Sequence, residues 1–183
     1  HESRASLIYQ VKNKTSGQLG VMKTVQPLLA KDAETCQALL NEEWLAKRVV
    51  SKYVPQIIPL TAEQRSNLYY VMSWHSGVTL QQRLESGHHF SATEVARLGA
   101  DLMKGLGALH RLNIVHRDIK PDNLHLGDDH QLRILDLGVA LSSQNGLQSS
   151  MPNPGTPSFM APELFDGQPA STSSDLYAAG VTL

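Results

Sequence analysis

Cysteine occurs once in this 183-residue chain, at Cys36, which excludes an internal disulfide and fits a reducing compartment. Neither sign of charge is in excess: a formal net charge of −1 offers no footprint for general nucleic-acid binding. No uninterrupted apolar run is long enough to span a bilayer, and no secretory leader opens the chain. The expected location is therefore the cytoplasm, or the cytoplasmic face of a membrane if an anchor lies outside these residues. A starting methionine is missing too, and the last stretch, Asp175 to Leu183, is apolar with no helix-stop signal. Both ends read as cut, so the expectation is a truncated fragment that leaves apolar surface exposed. Length and composition otherwise suit one globular domain with a substantial core.

The chemistry is concentrated in His116-Arg117-Asp118-Ile119-Lys120-Pro121-Asp122-Asn123, followed thirteen residues after Asn123 by Asp136-Leu137-Gly138. These polar groups match the needs of phosphoryl transfer from ATP. Asp118 would accept or steer the proton of an attacking hydroxyl, and Lys120 would offset charge on the transferring group. Asn123 and Asp136 would hold Mg²⁺ through oxygen atoms.

This stretch resembles the catalytic loop and metal-binding motif of the eukaryotic-type (Hanks-type) Ser/Thr protein kinases, and further matches accompany it in order: Val21-Met22-Lys23 upstream and Ala161-Pro162-Glu163 downstream. The resemblance implies an α+β, two-lobed fold. Residues 1–73 would form a small antiparallel-sheet lobe without its first strand, 74–76 a hinge, and 77–183 a helical lobe lacking its late helices. It also implies ATP and Mg²⁺ as cofactors and a protein carrying Ser or Thr as substrate. The oligomeric state stays open, and the fragment alone is expected to be inactive and aggregation-prone.

The two β-prone runs Leu7 to Lys12 and Leu19 to Lys23, separated by the turn sequence Asn13 to Gly17, read as a hairpin. A lone lysine at a strand end is ordinarily a solvated charge; by resemblance, Lys23 would reach the α and β phosphates. Aligning Ile8 with the valine after the family's glycine-rich loop puts His1, Ser3 and Ser6 where glycines would stand. Their absence predicts a stiffer lid over the nucleotide, with Ser3 and Ser6 still able to offer N–H and hydroxyl groups. The opening His1-Glu2-Ser3-Arg4, with Ser6 and Asn41 to Trp44, further resembles bacterial kinases fused to a metal-dependent protein phosphatase.

Helical periodicity runs from Lys31 to Ser51, with Ala38, Glu42, Leu45 and Val49 on one face. A lone carboxylate on an apolar stripe needs a partner, so Glu42 is expected to pair with Lys23, and Glu43 is the fallback. Strands are expected at Ile57 to Leu60 and Leu68 to Met72, joined by a turn from Thr61 to Asn67. By resemblance, Met72 limits the depth of a nucleotide pocket that Ile8 and Val21 also line, and Ser73, Trp74 and His75 meet the adenine through their backbone. Trp74 reads as an apolar cover and His75 as solvated.

Helices are expected at Thr79 to Ser86 and at Ser91 to Leu112, the second opened by a Ser91/Glu94 capping box. Val95, Leu98, Leu102, Leu106 and Leu109 form its buried stripe, with Met103 as core filler. His116 would brace the catalytic loop. Leu124 to Leu126 and Leu132 to Leu135 would form a hairpin presenting Asp136, while His125 and His130 lack metal-site spacing. The Ser-, Gln- and Pro-rich stretch from Val139 to Ser158 reads as an activation segment whose Ser142, Ser143, Ser149, Ser150 and Thr156 are phosphate candidates facing Arg117. Thr156 is better explained by bonds to Asp118 and Lys120, and Asp175 as a helix cap that anchors the catalytic-loop backbone.

A Ser/Thr protein kinase is the leading expectation. The alternatives are a pseudokinase that binds nucleotide or docks proteins, motivated by the glycine-free lid, and a kinase of small metabolites.

Overall fold

The computed structural model describes residues 5–61, 67–142 and 155–183. Strands β1 (Ser6–Lys12) and β2 (Leu19–Val25) form the expected antiparallel hairpin, with Ile8 opposite Lys23. Asn13 closes its turn by accepting the N–H groups of Thr15 and Ser16 on its side chain, and Gly17 takes a left-handed φ of 74°. With β3 (Ile57–Ile58) and β4 (Tyr69–Ser73) the hairpin completes a four-stranded antiparallel sheet in the order β1-β2-β4-β3. The turn expected between β3 and β4 lies largely outside the described residues, as do His1, Ser3, Ser143, Ser149 and Ser150.

Helix α1 (Ala33–Arg48) starts where Asp32 accepts the Thr35 N–H. It joins two apolar clusters. Leu39 packs with Val25 and Tyr70 under the sheet, whereas Leu45, Ala46 and Val49 enter the main core beside Leu137. Glu42 lies between these two anchored stretches, which fixes its position along the helix.

The rest of the chain is mainly helical, giving the α+β architecture expected. Helix α2 (Leu80–Glu85) opens with a Thr79/Gln82 capping box and α3 (Ala92–His110) with the Ser91/Glu94 box. Leu98, Leu102, Leu106 and Leu109 are buried along one face of α3 and form the centre of the main core. Met103 does not fill that core: it is 40% exposed, because it lies about 100° around the helix from Leu102 and so off the stripe. Gly105, a weak helix former, is explained by contact: a Cβ there would lie 2.8 Å from Ile134 Cδ1 and 3.3 Å from Tyr53 Cβ.

A short strand not expected from the sequence, β5 (Gly77–Thr79), pairs with β7 (Leu124–Gly127), which pairs with β8 (Leu132–Ile134). Between them, β6 (Ile114–Val115) pairs with β9 (Leu141–Ser142) and so ties the entry of the catalytic loop to the chain beyond Asp136. After the short helix α4 (Pro162–Phe165), α5 (Thr172–Thr182) packs Ala178 and Ala179 into the core and leaves Leu176, Tyr177 and Val181 at the surface. Its N-cap is Ser171. Asp175, expected to be the cap, is instead buried in the first turn, where its carboxylate is free to bond elsewhere.

Candidate active site

Strand β2 carries Lys23, and α1 lies across it. Lys23 Nζ donates to Glu42 Oε1 at 2.7 Å and to Asp136 Oδ1 at 2.8 Å. Lys23 and Glu42 are each about 5% exposed, at 5% and 4%, whereas the Asp136 side chain is 44% exposed. Burial would lower the Lys23 pKa, but the two carboxylates outweigh it and keep the ammonium charged. Burial raises the Glu42 pKa against the pull of Lys23, aided by the nearby Asp136 charge. Burial would raise Asp136 likewise, yet Lys23 and a bond from the Gly138 N–H hold it well below the carboxylate range. Glu43, the fallback partner, is buried too but pairs with Lys47 at 2.7 Å.

The second half of the site is the loop from His116 to Asn123. Its backbone turns through a left-handed residue, Arg117, with φ 70°, a strained conformation for a non-glycine residue. Asp175 pins that turn: its carboxylate accepts the N–H groups of His116 and Arg117, each at 2.9 Å. His110, at the end of α3, lies 2.8 Å from the same carboxylate, a contact with no signal in the sequence. His116 is fully buried. Its Nδ1 accepts the Asp118 N–H, which assigns the proton to Nε2 and makes that atom a donor to the Leu135 carbonyl.

Asp118 is enclosed by donors. Thr156 gives both its N–H (3.0 Å) and its hydroxyl (2.8 Å) to Oδ1, while Lys120 (2.8 Å) and the Asn123 amide (3.0 Å) reach Oδ2. Lys120 also donates to the Thr156 hydroxyl at 2.7 Å, closing a triangle. Burial would raise the Asp118 pKa, but the bonds from Lys120 and Thr156 hold it below its ordinary value. The group is thus an ionised acceptor, suited to orienting a hydroxyl. Gly155 permits this closure, since a Cβ there would sit 2.6 Å from the Arg117 carbonyl oxygen. Arg117 itself donates from Nε to the Val139 carbonyl at 2.6 Å.

Both halves face one cavity of about 420 Å³, lined among others by Ser6, Lys23, Glu42, Asp118, Asn123 and Asp136. Ile8, Val21 and Met72 share the sheet face of Lys23 by register but do not line this cavity, and neither do Ser73, Trp74 and His75. Trp74 is 38% exposed, and so only a partial cover. His75 is half-buried rather than solvated: its Nε2 lies 2.9 Å from Ser73 Oγ, which also accepts the Gln56 N–H at 3.0 Å. Burial and the Arg133 charge lower its pKa, which favours the neutral ring.

The donor set suits a hard divalent cation. Asn123 commits its amide nitrogen to Asp118 and keeps its oxygen for a ligand, and Asp136 is the exposed carboxylate of the group. Of the three carboxyl groups beside the Lys23 and Lys120 ammonium groups, Asp118 and Asp136 are the two held ionised, and Asp136 is the one open to a cation. Among the described residues no cluster of three or more His, Cys, Asp or Glu side chains could hold a metal ion.

A β-sheet lysine tied to a helical glutamate, facing an aspartate–lysine–asparagine loop across a cavity, defines a phosphotransfer site of the kinase type. The sequence matches the protein kinase domain family over residues 3–183, and the chain belongs to that family. It is similar to "MAP kinase kinase MKK1/SSP32" of Saccharomyces cerevisiae, with 28% identity over 100% of this chain and 36% of the relative. "Mitogen-activated protein kinase kinase 9" of Arabidopsis thaliana is 32% identical over 96% of this chain and 55% of its own length. A bacterial relative, the "probable serine/threonine-protein kinase pknA2" of Bifidobacterium longum, is 30% identical over 98% of this chain and 24% of its own. The chain thus spans between 24% and 55% of the length of these relatives. The family uses ATP with a divalent metal and acts on proteins. Among the described residues no helix is long and apolar enough to cross a membrane.

Proposed function

We propose that the protein is a Ser/Thr protein kinase that moves the γ-phosphate of Mg-ATP to a protein hydroxyl. The observation that carries this reading is the enclosure of Asp118 by Lys120, Asn123 and Thr156 on the same cavity as the Lys23–Asp136 pair. Residues 1–73 and 77–183 act as the two lobes, with 74–76 as the hinge.

Lys23, oriented by Glu42, holds the α and β phosphates. Ser6 lines the polar cavity, Ile8, Val21 and Met72 on the Lys23 face of the sheet enclose the nucleotide beyond it, and the backbone of Ser73, Trp74 and His75 meets the adenine; Ser3, also expected at the nucleotide, lies outside the described residues. Asn123 and Asp136 would hold Mg²⁺, which would supply positive charge against the phosphates. Asp118 accepts a hydrogen bond from the substrate hydroxyl and aims its oxygen at phosphorus. Because its pKa is depressed, Asp118 is a weak base, and orientation is its main contribution. Lys120 balances charge on the group in flight, and Thr156, tied to both, helps to shape the place of a Ser or Thr substrate.

A pseudokinase has no requirement for Lys23, Asp118, Asn123 and Asp136 together, so their presence favours turnover. The test is transfer of labelled phosphate from Mg-ATP to a generic protein by the product of the full reading frame. Asp118→Ala should lower the rate by about 10²–10⁴-fold. Labelling by the variant equal to that of the wild type rejects the proposal.

A further inference from the structure

We propose that His75 is a positioning residue for nucleotide binding: its side chain folds back two residues onto Ser73 and holds the hinge backbone in place for the adenine. This inference rests on the kinase reading above, in which the backbone of Ser73, Trp74 and His75 meets the base.

A segment that offers its N–H and C=O groups to a ligand must keep them out of strand pairing, and so gives up the bonds that would otherwise fix it. Trp74, His75 and Ser76 are such a segment: they lie between β4 and β5 and belong to neither strand. Side chains supply the order instead. His75 Nε2 lies 2.9 Å from Ser73 Oγ, and that oxygen also accepts the Gln56 N–H at 3.0 Å, while the Gln56 carbonyl accepts the Ser73 N–H at 2.8 Å. A hydroxyl both donates and accepts, so the Ser73–His75 contact forms with either ring tautomer. Gln56 is itself anchored: its side-chain amide donates to the carbonyls of Ser51 and Val54, at 2.8 and 2.7 Å, in the connection that follows α1. At the far end of the hinge the Asp128 N–H donates to the Ser76 carbonyl at 3.1 Å.

The register shows which side of the sheet this brace occupies. Met72 is opposed to Val21 and shares the face of Lys23, and alternation along β4 turns Ser73 to the opposite face. The Ser73–His75 contact therefore lies behind the strand, away from Lys23, and leaves the front of the hinge clear for a base. It spans Trp74 and so restricts the backbone dihedrals of the residue between its two ends. Fixing that backbone before the nucleotide arrives removes an ordering cost from binding.

The experiment measures KM for Mg-ATP and kcat in the full-frame protein and in His75→Ala, Ser73→Ala and the double variant. Each single variant should raise KM by about three- to tenfold, the scale of one hydrogen bond, and the loss should fall on KM rather than kcat. The double variant should exceed the worse single variant by less than about twofold, because both changes remove the same contact. His75→Gln, which keeps a polar atom near the Nε2 position, should return KM to within about twofold of the wild type. Where Ser73→Ala fails to fold, this comparison of His75→Gln with His75→Ala decides, and a glutamine variant as weak as the alanine one overturns the role. Multiplied losses in the double variant, an unaltered His75→Ala enzyme, or a loss that falls on kcat overturns it equally. A wild-type protein without turnover overturns the kinase reading itself, whereas wild-type turnover with any of those variant results overturns the role of His75 alone.

Discussion

Lys23 sits between two carboxylates, donating to Glu42 at 2.7 Å and to Asp136 at 2.8 Å, and only the second of these acids reaches solvent. Removing the ammonium therefore strands a buried glutamate. Lys23→Met should destabilise the domain by about 3–5 kcal/mol, the cost of breaking a buried pair. Pairing it with Glu42→Leu should restore most of that stability while leaving phosphoryl transfer abolished. Urea midpoints and turnover, measured on the same proteins, check both halves; activity that recovers along with stability contradicts the role given to Lys23. Glu42 was legible because an isolated acid stood on an apolar helical stripe. His110 was not: its contact with Asp175 joins positions 65 apart in sequence, and no local pattern encodes it.

At the scale of elements, two of the three glycines of α3, Gly105 and Gly107, carry opposite expectations. Gly105 packs against β8, where a methyl group would meet Ile134 Cδ1 at 2.8 Å, Ile134 Cγ1 at 3.2 Å and Tyr53 Cβ at 3.3 Å. Gly107 has only Arg111 Nη1 nearby, at 3.6 Å. Alanine favours a helix over glycine by about 1 kcal/mol, so Gly107→Ala should stabilise the domain by up to that amount. In Gly105→Ala overpacking, at about 1–3 kcal/mol, should cancel or reverse the gain. Denaturant midpoints that rise equally in both variants contradict the packing assigned to Gly105. Most elements were legible from periodicity and caps: the hairpin, α1 and the Ser91/Glu94 capping box all fall where those signals stand, whereas the Thr79/Gln82 box was found only in the structure. Strand β5 was not, because its three residues carry no period and exist through pairing with β7. The cap of α5 was misplaced because Ser171 and Asp175 are both suitable capping types, although the expected bonds from the catalytic-loop backbone to Asp175 are present.

Across the whole molecule, α1 is held at both ends: Leu39 in the small cluster under the sheet, and Leu45, Ala46 and Val49 in the core shared with α3, β8 and Leu137. Glu42 is therefore positioned by packing against both parts of the fold, and the Lys23–Asp136 bond joins positions 113 apart in sequence. Loop and motif residues were legible because each has a fixed local spacing. The cavity that gathers them was implied only through the family's fold. Ile8, Val21 and Met72, expected by resemblance to enclose a nucleotide, share the sheet face of Lys23, but their distance from the polar cavity was not readable from spacing.

The central claim is that the two halves of the site form one cleft for metal and nucleotide. Calorimetric titration of ATP, with and without Mg²⁺, into the wild-type protein and Asp136→Asn tests it most directly. The account predicts that Mg²⁺ tightens ATP binding to the wild type by about tenfold or more and does little for the variant. Equal tightening in both proteins, or no dependence on Mg²⁺ in the wild type, would contradict it.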